Sequence, residues 1–342
     1  MSFLTHSTLL LAVAVAPLFV AHAEDIQVKM KGGGEASKEF VLLNGRLKVR
    51  LPQGCRIEGR QRGLMEPEAS GASEARMVLD RDGKRMVFFA RELFSYAQDG
   101  YPEAELKAMK SLNDRGEVYR LGKAGEDVTY ALRKEKPDFD GSSGYLYAVA
   151  NVRQKDGSLQ RVQLLFDEEF ATNHAACMKM AEEVVMSLTP GGGVLPLDAR
   201  VQSLPSYEEG KRYAVDVPKG YVYHMQEGDG FYIAVFEKMR RAGSDDWGGL
   251  SVFLGDHPGM SYPEYGLKKD DAVETKKAAL AGSEAEWMLF EMEEGWMAEA
   301  VVPAARRGRE EIFLHVTIMA PSRKEAEGLM NVARSLRIVP SK

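Results

Sequence analysis

The chain has 342 residues, with 45 Lys and Arg against 51 Asp and Glu for a formal net charge of −6, and is 44% hydrophobic and 28% charged. That length suits two domains, and the composition is that of a folded, soluble protein rather than a disordered or fibrous one. The acidic balance excludes a general nucleic-acid binder, which needs a basic field to release counterions from phosphates.

The N-terminus reads as an address. Leu9 to Val20 is an apolar run of 12 residues, too short to span a hydrocarbon core, which takes about 20. Ala21-His22-Ala23 then supplies an A-x-A cleavage pattern before the charged pair Glu24-Asp25. Residues 1–23 are expected to be a secretory signal peptide cut after Ala23, although the n-region lacks Lys and Arg. A buried N-terminal helix is the alternative. No later apolar run approaches the length of a transmembrane helix, so the mature chain is expected to be soluble, in the periplasm or secreted. Residues 24–38 are expected to form a flexible N-terminal segment.

The first module, 39–189, opens on the alternating strand Arg46 to Leu51, ended by Pro52-Gln53-Gly54. Arg76 to Leu79 and Arg85 to Phe89 flank a polar hairpin turn, Asp80 to Lys84. Tyr101-Pro102-Glu103 opens a helical stretch, with Pro in the first turn and Glu complementing the dipole. Tyr145 to Val152 pairs with Arg161 to Phe166 around Lys155-Asp156-Gly157, and Asn173 to Leu188 is a closing helix. Residues 190–205, rich in Gly and Pro, cannot continue a helix or a central strand and read as a flexible linker.

The second module, 206–340, repeats these landmarks in order. Arg212 to Val217 is a strand ended by Pro218-Lys219-Gly220. Phe231 to Phe236 and Leu250 to Leu254 are aromatic and β-branched strands. Tyr262-Pro263-Glu264 opens helix signals over Tyr262 to Leu280. Glu286 to Met292 and Trp296 to Val302 form a hairpin, Ile312 to Ile318 is the last strand, and Ser322 with Glu325 has the spacing of a capping box. Three landmarks in the same order argue for duplication. Short turns predict mainly antiparallel sheets with helices packed on them.

Val217-Pro218-Lys219-Gly220-Tyr221, Ala281-Gly282-Ser283 leading into a strand, and the helix end Ala333-Arg334-Ser335-Leu336 together resemble the PsbP-like superfamily, which includes DcrB-like periplasmic proteins. The resemblance covers most of 206–340 and, more loosely, 39–189, where Cys55 stands in the place of the aromatic Tyr221. It implies an α+β fold class: two tandem α/β/α sandwich modules, each a six- or seven-stranded antiparallel sheet flanked by helices. It also implies binding or accessory roles and transfers no catalytic residue.

Few residues point to chemistry. There is no H-E-x-x-H, P-loop, G-x-S-x-G or G-x-G-x-x-G motif. His174, His224, His257 and His315 stand far apart, so no metal or cofactor site is predicted. Asp256-His257 reads as a solvated loop pair rather than half of an acid/base site. Asp138 to Ser143 resembles a calcium loop but lacks its closing ligands and reads as a polar turn. Glu284, Glu286, Glu291, Glu293 and Glu294 read as a solvated face rather than paired carboxylates. Cys55 and Cys177 are candidates for a disulfide in an oxidising compartment, with two separate buried thiols as the alternative. Without C-x-x-C, a thioredoxin-type site is excluded.

Trp287 and Trp296 read as core. Trp247 lies in a polar loop and is an interaction candidate, with folding back onto its domain as the bland outcome. The function expected is that of a secreted or periplasmic, non-enzymatic binding or accessory protein for an unknown protein or small ligand. The alternatives are an extracytoplasmic hydrolase with a site between the modules, or an inhibitor of a secreted protein.

Overall fold

The computed structural model describes residues 39–341 apart from 53–54, 58–73, 82–83, 112–116, 137–143, 229 and 242–246. The predicted leader, the segment 24–38 and the Asp138 to Ser143 turn lie outside the described residues. The first half runs β1 (Glu39–Leu42), β2 (Leu47–Arg50), β3 (Arg56–Ile57), β4 (Glu74–Arg81), β5 (Lys84–Tyr96), α1 (Glu103–Ser111), β6 (Glu117–Ala124), β7 (Val128–Glu135), β8 (Gly144–Arg153), β9 (Ser158–Asp167), α2 (Glu168–Ala171), α3 (His174–Met186) and β10 (Thr189–Pro190). The second runs β11 (Arg200–Leu204), β12 (Lys211–Val217), β13 (Tyr221–Gly228), β14 (Phe231–Lys238), β15 (Gly249–Gly255), 3-10 turns at Tyr262–Tyr265 and Lys269–Asp271, β16 (Glu274–Leu280), β17 (Ser283–Met292), β18 (Gly295–Arg307), β19 (Glu310–Ala320), α4 (Arg323–Arg334) and β20 (Arg337–Pro340).

Each half contributes one seven-stranded and one three-stranded sheet, and every pairing within them is antiparallel. The first large sheet has the order β3-β4-β5-β9-β8-β7-β6, and the second, β13-β14-β15-β19-β18-β17-β16, reproduces it strand for strand. The small sheets, β1-β2-β10 and β11-β12-β20, also correspond.

Side-chain period explains the layers. Along β9, Val162, Leu164 and Phe166 enter the first core while Arg161, Gln163 and Leu165 face the other way. On α3, Cys177, Met180, Ala181, Val184 and Val185 are buried at helical spacing, and the Asn173 side chain accepts the Ala176 N–H at 3.2 Å to cap the start. On α4, Ala326, Leu329, Met330 and Ala333 do the same in the second core, with Ser322 as the cap. Each core therefore lies between the inner face of a large sheet and a layer made of helix (α2 and α3 in the first half, α4 in the second) and residues of the small sheet.

This arrangement corrects the expected α+β class of α/β/α sandwiches. Among the described residues strand makes up 56% and helix 17%, a β-rich fold. The inner layer of each half is shared between helix and small sheet. Among the described residues the outer face carries the short α1 over β6 and β7 in the first half and the Ser261–Tyr265 turn in the second, so the large sheets are not flanked by full helical layers. The helix expected over Tyr262 to Leu280 is likewise corrected to two short 3-10 turns and the edge strand β16. Lys, Ala and Glu favour a helix there, but the segment pairs residue for residue with β17, from Glu274–Leu289 to Leu280–Ser283. Its exposure alternates with period two, and Lys276 and Lys277 on this edge discourage pairing with another chain.

The Gly/Pro segment is docked at both ends. Thr189 and Pro190 pair with β2, and Gly191 N–H donates to Arg46 O at 2.6 Å. A Cβ on Gly191 would stand 1.9 Å from Gly45 O, so only glycine fits this approach. Arg200 to Leu204 already belongs to the second small sheet. The described residues belong to one compact unit. Its halves touch where Ser95 bridges Arg240 in parallel, Tyr96 N–H donates to Arg240 O at 2.8 Å, and Arg240 N–H donates to Phe94 O at 3.0 Å. Phe94, held at φ +51, stacks on His224 with ring centroids 5.3 Å apart.

Candidate functional site

The residues singled out in the sequence are scattered. Cys177 is buried in the first core and Cys55 packs at the edge of the same core. Both are thiols in this structure, and the Cys177 thiol donates to Phe170 O at 3.5 Å. Trp247 is partly buried; its Cζ2 lies 3.0 Å from where a Cβ on Gly295 would stand, so the indole folds against the β17–β18 turn. Trp287 is 1% exposed in the second core, whereas Trp296 is partly buried beneath the Arg323 guanidinium. His257 Nδ1 meets Asp256 Oδ1 at 2.9 Å with an imidazole 91% exposed, and this contact, foremost, lowers the Asp256 pKa. Among the described residues, no three His, Cys, Asp or Glu converge as metal ligands.

Three polar clusters that sequence reading missed lie within the sheets. The first centres on Arg46, 2% exposed. Its guanidinium donates to Glu92 Oε1 at 2.9 Å, Asp156 Oδ2 at 3.1 Å, Gly193 O at 3.3 Å and Ser158 Oγ. Glu92 Oε1 also accepts from Gln160 Nε2 at 2.6 Å, while Glu92 Oε2 is buried without a hydrogen bond. Burial raises the Glu92 pKa against the opposing pull of Arg46. This cluster ties the β1–β2 turn, β5, the β8–β9 hairpin and the Gly/Pro segment together, which is a structural office.

The second cluster lies on the outer face of the second large sheet. His315 Nε2 meets Glu299 Oε1 at 2.6 Å and Thr317 Oγ1 at 3.3 Å, and Thr317 Oγ1 meets Ser261 Oγ at 2.9 Å. The Ser261 and Tyr262 N–H groups donate to the two Glu299 oxygens, and the Tyr262 ring stacks on Phe290 at 5.3 Å. Serine, histidine and glutamate invite comparison with a hydrolytic triad. Such a triad needs the acid on one imidazole nitrogen and the nucleophile on the other. Here the Thr317 hydroxyl and Glu299 share Nε2, and His315 is 5% exposed. The geometry is that of a staple closing the Ser261–Tyr265 turn over the sheet. Ser261→Ala is expected to cost about 1 kcal/mol in chemical denaturation, the worth of one buried hydroxyl bond.

The third cluster lies on the outer face of the first large sheet. Ladder pairing sets Arg91, Arg161, Asn151 and Thr129 in one row across β5, β9, β8 and β7. Arg161 Nε donates to Asn151 Oδ1 at 3.1 Å, and Asn151 Nδ2 donates to Glu105 Oε1 of α1. Arg91 Nε is buried without a hydrogen bond. Burial, followed by the charge of Arg91, lowers the Arg161 pKa.

The two outer faces differ. In the second half, Phe290, Met297, Glu299, His315 and Met319 of β17–β19 are each at most 5% exposed, while Phe231, Phe253 and Phe313 of β14, β15 and β19 are partly exposed. In the first half α1 packs on β6 and β7, where Thr129, Ala131 and Asn151 are buried. Over β4, β5 and β9, however, Val78, Val87, Phe89, Gln163 and Leu165 remain partly exposed beside Arg91 and Arg161.

No family model and no curated protein sequence matches the chain. Among solved structures, one match is the Tle4–Tli4 complex, at 12% identity over 89% of this chain and 98% of that one, with a TM-score of 0.24. Another is the immunity protein TplEi of T6SS from Pseudomonas aeruginosa complexed with an "L" peptide, at 10% identity over 89% and 99% of the two chains, with a TM-score of 0.23. At these scores the likeness carries no argument.

Proposed function

We propose that the protein is a binding protein outside the cytoplasm, exported by cleavage after Ala23, that docks on another secreted protein and inhibits it. The observation supporting this reading is a pair of facing arginines set in a partly exposed apolar patch, which the second sheet of the same topology does not repeat. Val87, Phe89 and Leu165 are partly exposed beside Arg91 and Arg161 on the β5–β9 ladder, whereas the matching β15–β19 ladder carries no arginine. An apolar patch rimmed by arginine has the composition of a protein interface core. The Cys pair and Trp247 take no part in it.

The test places a photo-cross-linking residue at position 89 of the exported protein in its native host, with position 201, on an exposed strand of the second half, as control. The expected result is one protein captured through position 89 and not through 201, bound to a chain whose first residue is Glu24. Adding the purified chain should abolish that protein's activity at equal stoichiometry, and Phe89→Asp should relieve the inhibition at least tenfold, since a charge would be buried in the interface. Equal capture at both positions, or undiminished activity of the captured protein, would refute the reading.

A further inference from the structure

Arg91 and Arg161 face each other directly across the β5–β9 ladder on the partly exposed outer face. Like charges directly opposite on neighbouring strands repel. A protein carrying six more acidic than basic side chains has carboxylates to spare for neutralising such a pair. Yet neither arginine has an ion pair among the described residues. Glu105 is the carboxylate that reaches this region from α1, and its Oε1 is engaged by Asn151. On the far side of Arg91 the register sets Glu74 of β4. Arg161 spends its Nε on Asn151, leaving its terminal nitrogens uncommitted, and Arg91 Nε is buried with no acceptor. Two adjacent planar forks short of acceptors match the bidentate geometry of an oxyanion.

We propose that Arg91 and Arg161 form an anion-binding site that takes an oxyanion, the carboxylate of an acidic side chain on the docked protein. The inference rests on the docking reading above and supplies the chemistry of its partner. An incoming carboxylate neutralises the repulsion between the two arginines and gives Arg91 Nε its missing acceptor. The neighbouring Phe89 and Leu165 lower the local dielectric and strengthen that bond. Without the anion the pair is a local liability, the usual mark of a group kept for binding rather than stability.

The experiment uses the full mature chain and three probes: inorganic phosphate, acetate, and a peptide of five glutamates, each compared with chloride at equal ionic strength. The thermal midpoint should rise by about 2 °C when a probe is present at ten times its Kd. Arg91→Gln and Arg161→Gln should each abolish the rise, and Arg91→Gln should melt no lower than wild type in chloride, because the repulsion is gone. Arg91→Lys, which keeps the charge but loses the fork, should at least halve the rise. A peptide effective at lower concentration than acetate assigns the site to a partner's side chains, and an effect of phosphate alone assigns it to a free oxyanion; both keep the site. The proposal falls if wild type responds to no probe, if Arg91→Gln keeps the response, or if Glu74→Gln and Arg91→Gln lower the chloride midpoint equally, as an internal ion pair requires. A protein cross-linked at position 89 without any oxyanion response overturns this site alone, and an oxyanion response without a cross-linked protein overturns the docking reading alone.

Discussion

Replacing Arg46 with Met is expected to cost about 3–5 kcal/mol of folding stability, the penalty for breaking a buried ion pair from one side. The substitution keeps an unbranched stem but removes every donor. Glu92, 5% exposed, would retain only its bond from Gln160 on Oε1, and Ser158 and Gly193 O would each lose the guanidinium. Its pKa, already raised by burial, would climb further until the carboxyl was neutral. The double variant Arg46→Met/Glu92→Leu should regain about half of the loss, because an apolar pair needs no partner and the two sites are directly coupled. Urea denaturation of both variants checks this. A loss under about 1 kcal/mol in the single variant would mean that the cluster is solvated and that Arg46 does not hold the β1–β2 turn to the sheet.

The second large effect is acid lability at the junction of the halves. His224 stacks on Phe94, and burial lowers its pKa from 6.5 to about 4. A depressed histidine pKa means that the folded state binds the proton less readily than the unfolded chain. The stabilisation is therefore complete above about pH 6.5, declines as the pH falls, and is fully lost near pH 4, for a total of about 2–3 kcal/mol. Glu92 and Glu237 run the other way, since burial raises both and so favours the folded state in acid. The clean quantity is the difference between wild type and His224→Phe, which keeps the stacking surface and cannot titrate. That difference should favour the variant progressively from pH 6.5 to 4 and be flat above pH 7. A flat difference throughout would place His224 in water.

Local signals sufficed for the hairpins. The turns between β4 and β5, β8 and β9, and β17 and β18 carry Gly beside polar residues between alternating strands, and the caps Asn173 and Ser322 begin α3 and α4. The small sheets were not legible, because β10 is two residues and β20 is four, too short to show any period. Without them the layer over each core reads as helical and the fold class as α+β. The β16 segment misled through its helix-favouring composition, since pairing with β17 outweighs propensity at a sheet edge. The polar clusters had no local motif at all. Arg91 and Arg161 are 70 positions apart and meet only through the β5–β9 ladder. Glu299 and His315 each look like a single polar residue in an apolar strand until the β18–β19 ladder sets them diagonally across from one another. The trace they leave is a charged residue at an alternating position of an otherwise apolar strand, and that is the signal to search for.

The placement of β10 and β20 gives the molecule a direction in time. The first small sheet is completed by Thr189–Pro190, so a chain emerging N-terminus first has every strand of its first half in hand before the second half begins. The second half closes only when Arg337–Pro340 reaches β12, whose strand left the exit some 120 residues earlier. During that interval β12 offers an unpaired edge beside a finished neighbour that has the same strand order. Similar strands waiting side by side are the setting for exchange between repeats.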